Sequence, residues 1–273
     1  MKLLMTLLVR DEDDIIDENI RFHLAMGVEQ FIVTDHLSRD STPDILREHE
    51  KNGYLEIIEE KSDTYNQGQW VTSMARRAFT HYNAEWVIDN DADEFWMPLG
   101  GKLTEYLGSL PNEIYNLHVN RLDYVFREHG DIPFYEALIF REWMCKWTKC
   151  CHKGAADTIV DVGNHYATSS SFPNGKEAPS MNSMAVLHFP IRSYDRYLRK
   201  MELGSRAMLN TSGMPSEFGF HWKKAAEHIQ KGTFDDFFSD KTYSAQRIND
   251  DIKSGALVID DRLQRFFLNK SPT

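Results

Sequence analysis

The sequence predicts an α/β protein with a mainly parallel sheet flanked by helices and a helical extension at the C-terminus. Apolar runs of strand length alternate with amphipathic stretches of helix length over the first hundred residues. This alternation indicates βαβ units with right-handed crossovers, and therefore a parallel sheet. The first run, 3–9, is apolar at nearly every position, as expected of a strand buried on both faces.

The elements of this first part follow from apolar periodicity and from signals for helix ends. After the first strand, an i, i+4, i+7 apolar stripe predicts a helix that ends at Gly27. Thr42 as N-cap with Pro43 at the first helical position predicts the start of a second helix. A broad apolar face predicts a third helix over 70–82. The strands between these helices are predicted at 31–34, 54–58 and 85–90.

The second part of the chain has weaker periodicity. We predict strands at 116–126, 137–140 and 184–189, and helices at 194–208 and 222–230. The stretch 169–179 is rich in Ser, Pro, Gly and Asn, which predicts a loop. Without a repeat or a clear linker, we expect one main domain over 1–230 and a helical extension over 231–273 that packs on it.

Composition narrows the classes of function. A formal net charge of -11 makes a nucleic-acid backbone an unsuitable main partner. The opening apolar run is too short for a transmembrane segment and lacks the cleavage site of a signal peptide. The three cysteines, Cys145, Cys150 and Cys151, are too few for a disulfide framework and fit buried thiols in a reducing compartment. We therefore expect a cytoplasmic protein.

The fourth predicted strand runs directly into a cluster of carboxylates between aromatic residues. Like charges this close repel one another, and a bound cation relieves the repulsion. Hard divalent cations such as Mg²⁺ and Mn²⁺ prefer oxygen ligands and often share them with a substrate phosphate. The alternative is a solvated acidic turn, which the aromatic flanks disfavour. The cluster consists of Asp89, Asp91, Asp93 and Glu94.

Acidic residues in fact follow all four of the predicted parallel strands, at or beyond their carboxyl ends. Open α/β sheets bind ligands at that edge, so these placements together predict a ligand site there. For Asp35, and equally for Asp63 in the loop after the third strand, the alternative is an Asx-turn or helix cap. In strand order the residues are Asp11 with Glu12, Asp35, Asp63, and Asp91 with Asp93.

These residues resemble a known family. Asp91-Ala92-Asp93-Glu94-Phe95, five residues after Trp86, is similar to a motif of the family-2-like set of GT-A glycosyltransferases. The opening strand with Arg10-Asp11-Glu12 resembles the start of that fold, although the family commonly has Arg-Asn-Glu. The block 187–193, with Lys200 beyond it, is similar to a second conserved segment. The resemblance covers residues 1–96 well and 145–205 in patches.

The resemblance implies a GT-A (Rossmann-like) fold and a glycosyltransferase. The enzyme would move a sugar from a nucleotide-diphosphate sugar to a glycan or other hydroxyl acceptor, with Mn²⁺ or Mg²⁺ held against the diphosphate. Asp91 and Asp93 would hold this ion, and His165 or His188 would add a ligand. The residues expected to contact the nucleotide or its phosphates are Arg10, Asp11, Glu12, Asp35, Asp63, Arg76, Asp91, Arg192 and Lys200.

An inverting transferase also needs a group that takes the proton from the acceptor hydroxyl. Besides Asp93, the catalytic candidates are Glu94 and Glu142, and Glu136 and Asp123 stay open as well. Two other functions remain alternatives. A metal-dependent nucleotidyltransferase usually has a glycine-rich phosphate loop after the first strand, unlike this chain. A non-catalytic nucleotide-sugar-binding protein of the same fold would lack turnover.

Overall fold

The computed structural model describes residues 1–125, 133–136, 139–141, 148–180, 183–211 and 219–268. The chain divides into two compact units. The first unit comprises 1–62, 66–121 and 145–187, and the second comprises 63–65, 122–144 and 188–273. The predicted division into 1–230 and 231–273 stays a prediction.

Most predicted elements of the first hundred residues are found within a few residues of their expected bounds. The second helix begins at Thr42 with Ser41 at the N-cap, one residue earlier than predicted. The elements from the N-terminus are β1 (Leu3–Val9), α1 (Ile16–Ala25), β2 (Gln30–His36), α2 (Thr42–Lys51), β3 (Leu55–Glu60), α3 (Gln67–Tyr82), β4 (Trp86–Asp91), β5 (Glu94–Pro98), α4 (Leu103–Gly108) and β6 (Ile114–Asp123).

The later part of the chain contains shorter elements. After a 3₁₀ turn at Phe134–Glu136, these are β7 (Ile139–Arg141), β8 (Thr148–Lys153), β9 (Ile159–Val160), β10 (Ala167–Thr168), β11 (Lys176–Pro179), β12 (Met184–His188), α5 (Tyr194–Leu209), α6 (Phe220–Lys231), α7 (Phe234–Ser239), α8 (Ala245–Ser254), β13 (Leu257–Ile259) and α9 (Arg262–Leu268). Neither β5 nor β8 was predicted, and the predicted loop at 169–179 ends in a strand, β11, which pairs in parallel with β6.

One nine-stranded sheet has the order β3-β2-β1-β4-β8-β6-β12-β5, with β11 paired to β6. The strands β3, β2, β1 and β4 are mutually parallel. Next to them, β8 runs antiparallel to both β4 and β6. The predicted α/β class is therefore confirmed. This order places the carboxyl ends of β1, β2 and β4 side by side, with β8 along β4.

Apolar packing around β1 and β4 holds that edge in place. In the first unit, Leu4 and Val87 from the sheet are fully buried and pack with Val71 and Met74 of α3. Complete burial of such a side chain contributes about 1.5–3 kcal/mol. On the other face, the ring of Phe22 in α1 meets Phe95 of β5 edge to face, with centroids 5.4 Å apart. Because both faces are covered, β1 is apolar at every position except Thr6.

The two cysteines of β8, Cys150 and Cys151, are buried and free, in agreement with the sequence prediction. Burial raises the pKa of both thiols, so they stay protonated and inert. Lys149 and His152 flank the two cysteines and are buried with them, so no alternation of apolar and polar residues marks this strand in the sequence.

In the second unit, β7 and β13 pair antiparallel, and the helices pack around an apolar cluster. Met201 of α5, Ala225 of α6, and Phe234 and Phe237 of α7 form this cluster. The predicted helical C-terminal extension is confirmed by α7, α8 and α9. Among the described residues, no helix has the length and apolarity needed to cross a membrane; the cytoplasmic location stays a prediction.

Candidate active site

The residues 91–94, which we call the acidic turn, connect the end of β4 to the start of β5. Glu94 is fully buried and Asp93 is 3% exposed, whereas the side chain of Asp91 is 32% exposed. Three carboxylates thus stand within four residues, and the fold excludes solvent from two of them. Such a turn needs internal cations or hydrogen-bond donors, because an uncompensated buried charge is strongly destabilising.

Lys149 of β8 supplies a buried cation. Its Nζ lies 2.5 Å from Asp91 Oδ2 and 3.1 Å from Glu94 Oε2, and only 2% of its side chain is exposed. Arg121 adds a second, longer ion pair, with Nη1 4.0 Å from Glu94 Oε1. Burial alone would lower the pKa of Lys149, but the charges of Asp91 and Glu94 raise it above its usual value. The ammonium therefore stays charged and bridges both ends of the acidic turn.

Asp89, the remaining carboxylate of the cluster, has a different environment. It is fully buried and accepts hydrogen bonds from Thr6 Oγ1 at 2.7 Å and from His152 Nε2 at 3.0 Å. Burial lowers the pKa of His152, but the bond to Asp89, the charge of that carboxylate and the bond to the carbonyl of Lys153 together raise the pKa above its usual value. Asp89 thus ties β1, β4 and β8 together within the sheet, and it is not part of the ligand edge.

The side chain of Asp91 also meets the segment before β10. Asn164, which has a left-handed φ of 59°, donates from Nδ2 to Asp91 Oδ1 at 3.3 Å. The neighbouring His165 donates from Nδ1 to the carbonyl of Thr148 at 2.8 Å, because a carbonyl can only accept. Burial lowers the pKa of His165, and the charge of Lys149 lowers it further while Asp91 opposes this. A neutral imidazole therefore lies beside Asp91.

The main chain of the acidic turn is held from α1. Asn19 Nδ2 donates to the carbonyls of Ala92 and Glu94, at 2.9 and 2.8 Å. The main-chain N–H of Trp96 donates to His23 Nε2 at 3.1 Å, so the proton of this histidine is on Nδ1, 2.8 Å from the carbonyl of Asn19. Both Asn19 and His23 are fully buried. Burial lowers the pKa of His23 to about 3, so the ring is neutral in the folded protein.

This neutral histidine predicts a specific loss of stability in acid. In the unfolded chain His23 binds a proton below a pKa of about 6.5, but in the folded protein it does so only near pH 3. The free energy of unfolding should therefore fall as the pH drops below about 6.5, and His23 should account for about 2 kcal/mol of the loss between pH 7 and pH 5.

Urea unfolding of the wild-type protein and of His23→Gln at both pH values measures this contribution. Glutamine retains an acceptor for the N–H of Trp96 and does not titrate in this range. The variant should lose about 2 kcal/mol less than the wild-type protein between the two pH values. Equal losses in both proteins would show that His23 is already charged in the native state.

The loops after β1 and β2 are joined by side chains. The N–H of Asp11 donates to Ser38 Oγ at 3.0 Å, and the N–H of Arg39 donates back to Asp11 Oδ1 at 2.6 Å. The N–H of Glu12 donates to Thr42 Oγ1 at 2.8 Å. Asp11 has a left-handed φ of 57°, a conformation that these bonds hold in place. The predicted nucleotide residues of the first loop are therefore part of a rigid two-loop structure.

Three other predicted residues also lie in the first unit. Asp35 Oδ1 accepts the N–H of Ser38 at 3.3 Å, the short-range bond that the turn alternative anticipated. Arg10 follows β1 directly, and its Nε and Nη2 atoms are buried. Arg76 donates from Nε to the carbonyl of Thr158 at 2.7 Å and thereby connects α3 to the segment before β9.

Four predicted residues, Asp63, His188, Arg192 and Lys200, belong to the second unit. There Asp63 forms an ion pair with Arg206 at 3.4 Å, and His188 Nδ1 lies 2.6 Å from an oxygen of Asp123. Arg192 donates to the carbonyl of Phe189 at 3.2 Å, and Lys200 lies on α5. Their roles stay predictions. Glu142 lies outside the described residues.

A model of glycosyltransferase family 92 matches residues 6–231. The chain belongs to glycosyltransferase family 92. The expected enzyme class is confirmed, and the expected GT-A type of α/β fold agrees with the strand order of the sheet. The family shown is family 92, whereas the sequence motif had suggested the family-2-like set. No curated protein matches the sequence.

Solved structures that resemble this family-92 chain have low sequence identity to it. TarS 1–349 from S. aureus, in complex with UDP, is 13% identical over 78% of this chain and 67% of that chain, with a TM-score of 0.47. The mannosyltransferase PcManGT from Pyrobaculum calidifontis, in complex with GDP-Man and Mn²⁺, is 14% identical over 85% and 72%, with a TM-score of 0.41. These similarities are too distant to indicate a donor or a metal for this chain.

The carboxylates at the acidic turn of this family-92 enzyme suit a metal ion that takes few ligands from the protein. Among the residues that the structure describes, no three His, Cys, Asp or Glu side chains converge on a point that could hold an ion. Mg²⁺ and similar hard cations usually take one or two carboxylates and complete their coordination with waters and substrate phosphates. Asp91 and Asp93 fit such an ion, but the described residues do not form a complete protein cage.

Proposed function

We propose that this glycosyltransferase takes its sugar from a nucleotide-diphosphate sugar and transfers it to an acceptor hydroxyl, with Mn²⁺ or Mg²⁺ at the acidic turn. The observation that carries the proposal is the position and state of Asp91. It ends a central parallel strand at the ligand-binding edge, and it is the most exposed carboxylate of the turn, while Asp89 and Glu94 are engaged inside the fold.

Asp91 and Asp93 would hold the ion. Of the two candidate histidines, His165 is favoured because its neutral ring lies beside Asp91, and only a neutral imidazole can be a ligand. When bound, the ion supplies Lewis-acid stabilisation of the negative charge that develops on the departing diphosphate. Lys149 holds the carboxylate of Asp91 in one position, so that charge is arranged in advance of the reaction.

The nucleoside would lie against the joined loops after β1 and β2. Asp11, Glu12 and Asp35 are at the same edge as Asp91, because β1 is hydrogen-bonded to both β2 and β4. One oxygen of Asp35 accepts a loop N–H, and a carboxylate has further lone pairs for a base or a ribose hydroxyl. Arg10, at the end of β1, is the cation of this edge that we assign to the diphosphate.

We assign Glu94 to positioning and not to proton transfer. Its side chain is fully buried and lies 3.1 Å from the ammonium of Lys149, so an acceptor hydroxyl cannot reach it without dismantling that ion pair. The general base stays a prediction among Glu142, Glu136 and Asp123. An acceptor hydroxyl that loses its proton to such a carboxylate would attack the sugar carbon as the bond to the diphosphate breaks.

Removal of divalent ions should stop the reaction. We expect the protein treated with EDTA to lose at least about 100-fold in the rate of transfer or hydrolysis of uridine and guanosine diphosphate sugars, because transition-state charge stabilisation of this kind is worth about 10²–10³ in rate. Added Mn²⁺ or Mg²⁺ should restore the rate. Full activity in EDTA would remove the metal from the proposal.

The products of the same assay distinguish the alternatives. A glycosyltransferase releases a nucleoside diphosphate, whereas a nucleotidyltransferase releases pyrophosphate. Binding of nucleotide sugars without turnover across a broad acceptor panel would indicate a binding protein. The thermal unfolding curve of the EDTA-treated protein, recorded without ligand, serves as the control that the fold is intact.

A further inference from the structure

The conformation of the acidic turn depends on charges and hydrogen-bond donors from outside the turn. Its three carboxylates repel one another, and its carbonyls point into a region without solvent. Buried main-chain carbonyls need hydrogen-bond donors, and a two-residue connection between β4 and β5 has none of its own to spare. The hydrogen-bond donors come from side chains outside the turn. These side chains therefore determine the position of the main chain at Asp93.

One side chain donates to carbonyls on both sides of Asp93. The amide of Asn19 donates one N–H to the carbonyl of Ala92 and the other to the carbonyl of Glu94. These two carbonyls lie immediately before and immediately after Asp93. A planar amide that bonds to both neighbours determines the orientation of the main chain at Asp93, and through it the direction of the carboxylate.

Asn19 is itself held by two other buried side chains. His23 accepts the N–H of Trp96, and its own Nδ1–H faces the carbonyl of Asn19. Asn90 donates to the carbonyl of Glu94 at 3.1 Å and accepts from the indole N–H of Trp96 at 2.9 Å. All these groups are at most 1% exposed. A buried polar network in which the members satisfy each other is rigid.

We propose that Asn19 is a positioning residue of the transfer reaction, which fixes the carboxylate of Asp93 by bonding to the carbonyls on both sides of it. The inference rests on the proposed function, because it requires that Asp93 contacts the ion. Asn19 is far from the acidic turn in sequence and is too buried to contact substrate, so it acts through the turn alone. A displacement of about 1 Å at a reacting group can cost about 100-fold in rate.

Asn19→Ala and Asn116→Ala form a matched pair for the test. Asn116 is also fully buried, and its Nδ2 also donates to a main-chain carbonyl, that of Ala167 at 2.9 Å. It lies on β6, outside the acidic turn, and its amide bonds to the segment of β10. Both variants delete one buried amide, so both should lose stability to a similar degree. A purely structural role of Asn19 would make the two variants alike in function.

The readout is the rise in melting temperature produced by Mn²⁺ together with UDP or GDP, alongside kcat and KM. We expect Asn116→Ala to retain the full ligand-induced rise and the wild-type kcat. Asn19→Ala should lose most of the rise, need about tenfold more Mn²⁺ for half-maximal activity, and show kcat/KM lower by about 10–100-fold. If Asn19→Ala does not fold, Asn19→Ser, which retains one donor, should show the same losses to a smaller degree.

Three results would count against the inference. The folded Asn19 variant could show the same ligand-induced rise in melting temperature and the same Mn²⁺ requirement as the wild-type protein. That result would overturn this inference but leave the proposed function standing. Equal functional losses in Asn116→Ala would show that any buried amide has this effect. A wild-type protein that responds to neither Mn²⁺ nor nucleotide would overturn the proposed function, and this inference with it.

Discussion

Asp93→Asn should lower kcat/KM for the nucleotide-sugar donor by at least about 100-fold. A loss of this size is expected when the protein loses a preorganised charge that helps to stabilise the leaving group. Asparagine has nearly the shape of aspartate, and Asp93 is 3% exposed, so the substitution removes charge with little change in packing. A weaker metal ligand should also raise the Mn²⁺ concentration needed for half-maximal activity. Steady-state kinetics at a series of Mn²⁺ concentrations measures both effects.

Asp157→Asn is the matched control for this substitution. Asp157 also belongs to the first unit, and it caps the serine-rich segment, with Ser171 Oγ donating to it at 2.8 Å. The control should retain the wild-type kcat/KM and Mn²⁺ requirement. If Asp93→Asn retained kcat/KM within about twofold of the wild-type value, a difference below 0.5 kcal/mol, Asp93 would have no role in the chemistry.

Lys149→Met should cost about 3–5 kcal/mol of folding free energy, the range for breaking a buried ion pair by removing one partner. Glu94 is fully buried, and the substitution would remove the ammonium that lies 3.1 Å from its carboxylate, whereas Arg121 lies farther away, at 4.0 Å. Methionine retains the length of the side chain, so lost charge and not lost volume would cause the effect. Urea unfolding at pH 7 measures the difference.

Two further variants test whether the loss of stability comes from breaking the buried ion pair. Lys176→Met removes a lysine that is 67% exposed and 3.7 Å from Glu113, and it should change stability by less than about 1 kcal/mol. In the double variant Lys149→Met with Glu94→Gln, neutralising the acid should recover part of the loss. A loss below about 1 kcal/mol in Lys149→Met would mean that the buried ion pair is not formed in solution.

The sequence predicted the parallel half of the sheet well, for a physical reason. Strands buried on both faces are largely apolar, and β1 and the first half of β4 show this, with Thr6, Asp89 and Asn90 as buried polar exceptions. The acidic edge followed, because the topology of βαβ units places the carboxyl ends of such strands together. The position of Asp91 at that edge could therefore be predicted before any tertiary contact was known.

The partners of the acidic turn could not be predicted in this way. Lys149 lies in β8, where two adjacent buried thiols stand between ionisable residues and no periodic pattern marks a strand. Its pairing with Asp91 depends on an antiparallel register between distant segments. Asn19 occupies a polar position inside an amphipathic helix, where nothing local indicates that its amide is buried. The residues that hold the site together were thus less predictable than the acidic residues at its centre.

The most direct test is a crystal of the protein grown with Mn²⁺ and a nucleoside diphosphate, measured for anomalous scattering from manganese. We predict one strong anomalous peak at the acidic turn, bonded to a carboxylate oxygen of Asp93 or Asp91 and to the diphosphate, with Lys149 still against Glu94. A nucleotide bound without any manganese peak at these carboxylates, or a peak bonded to other residues, would contradict the account.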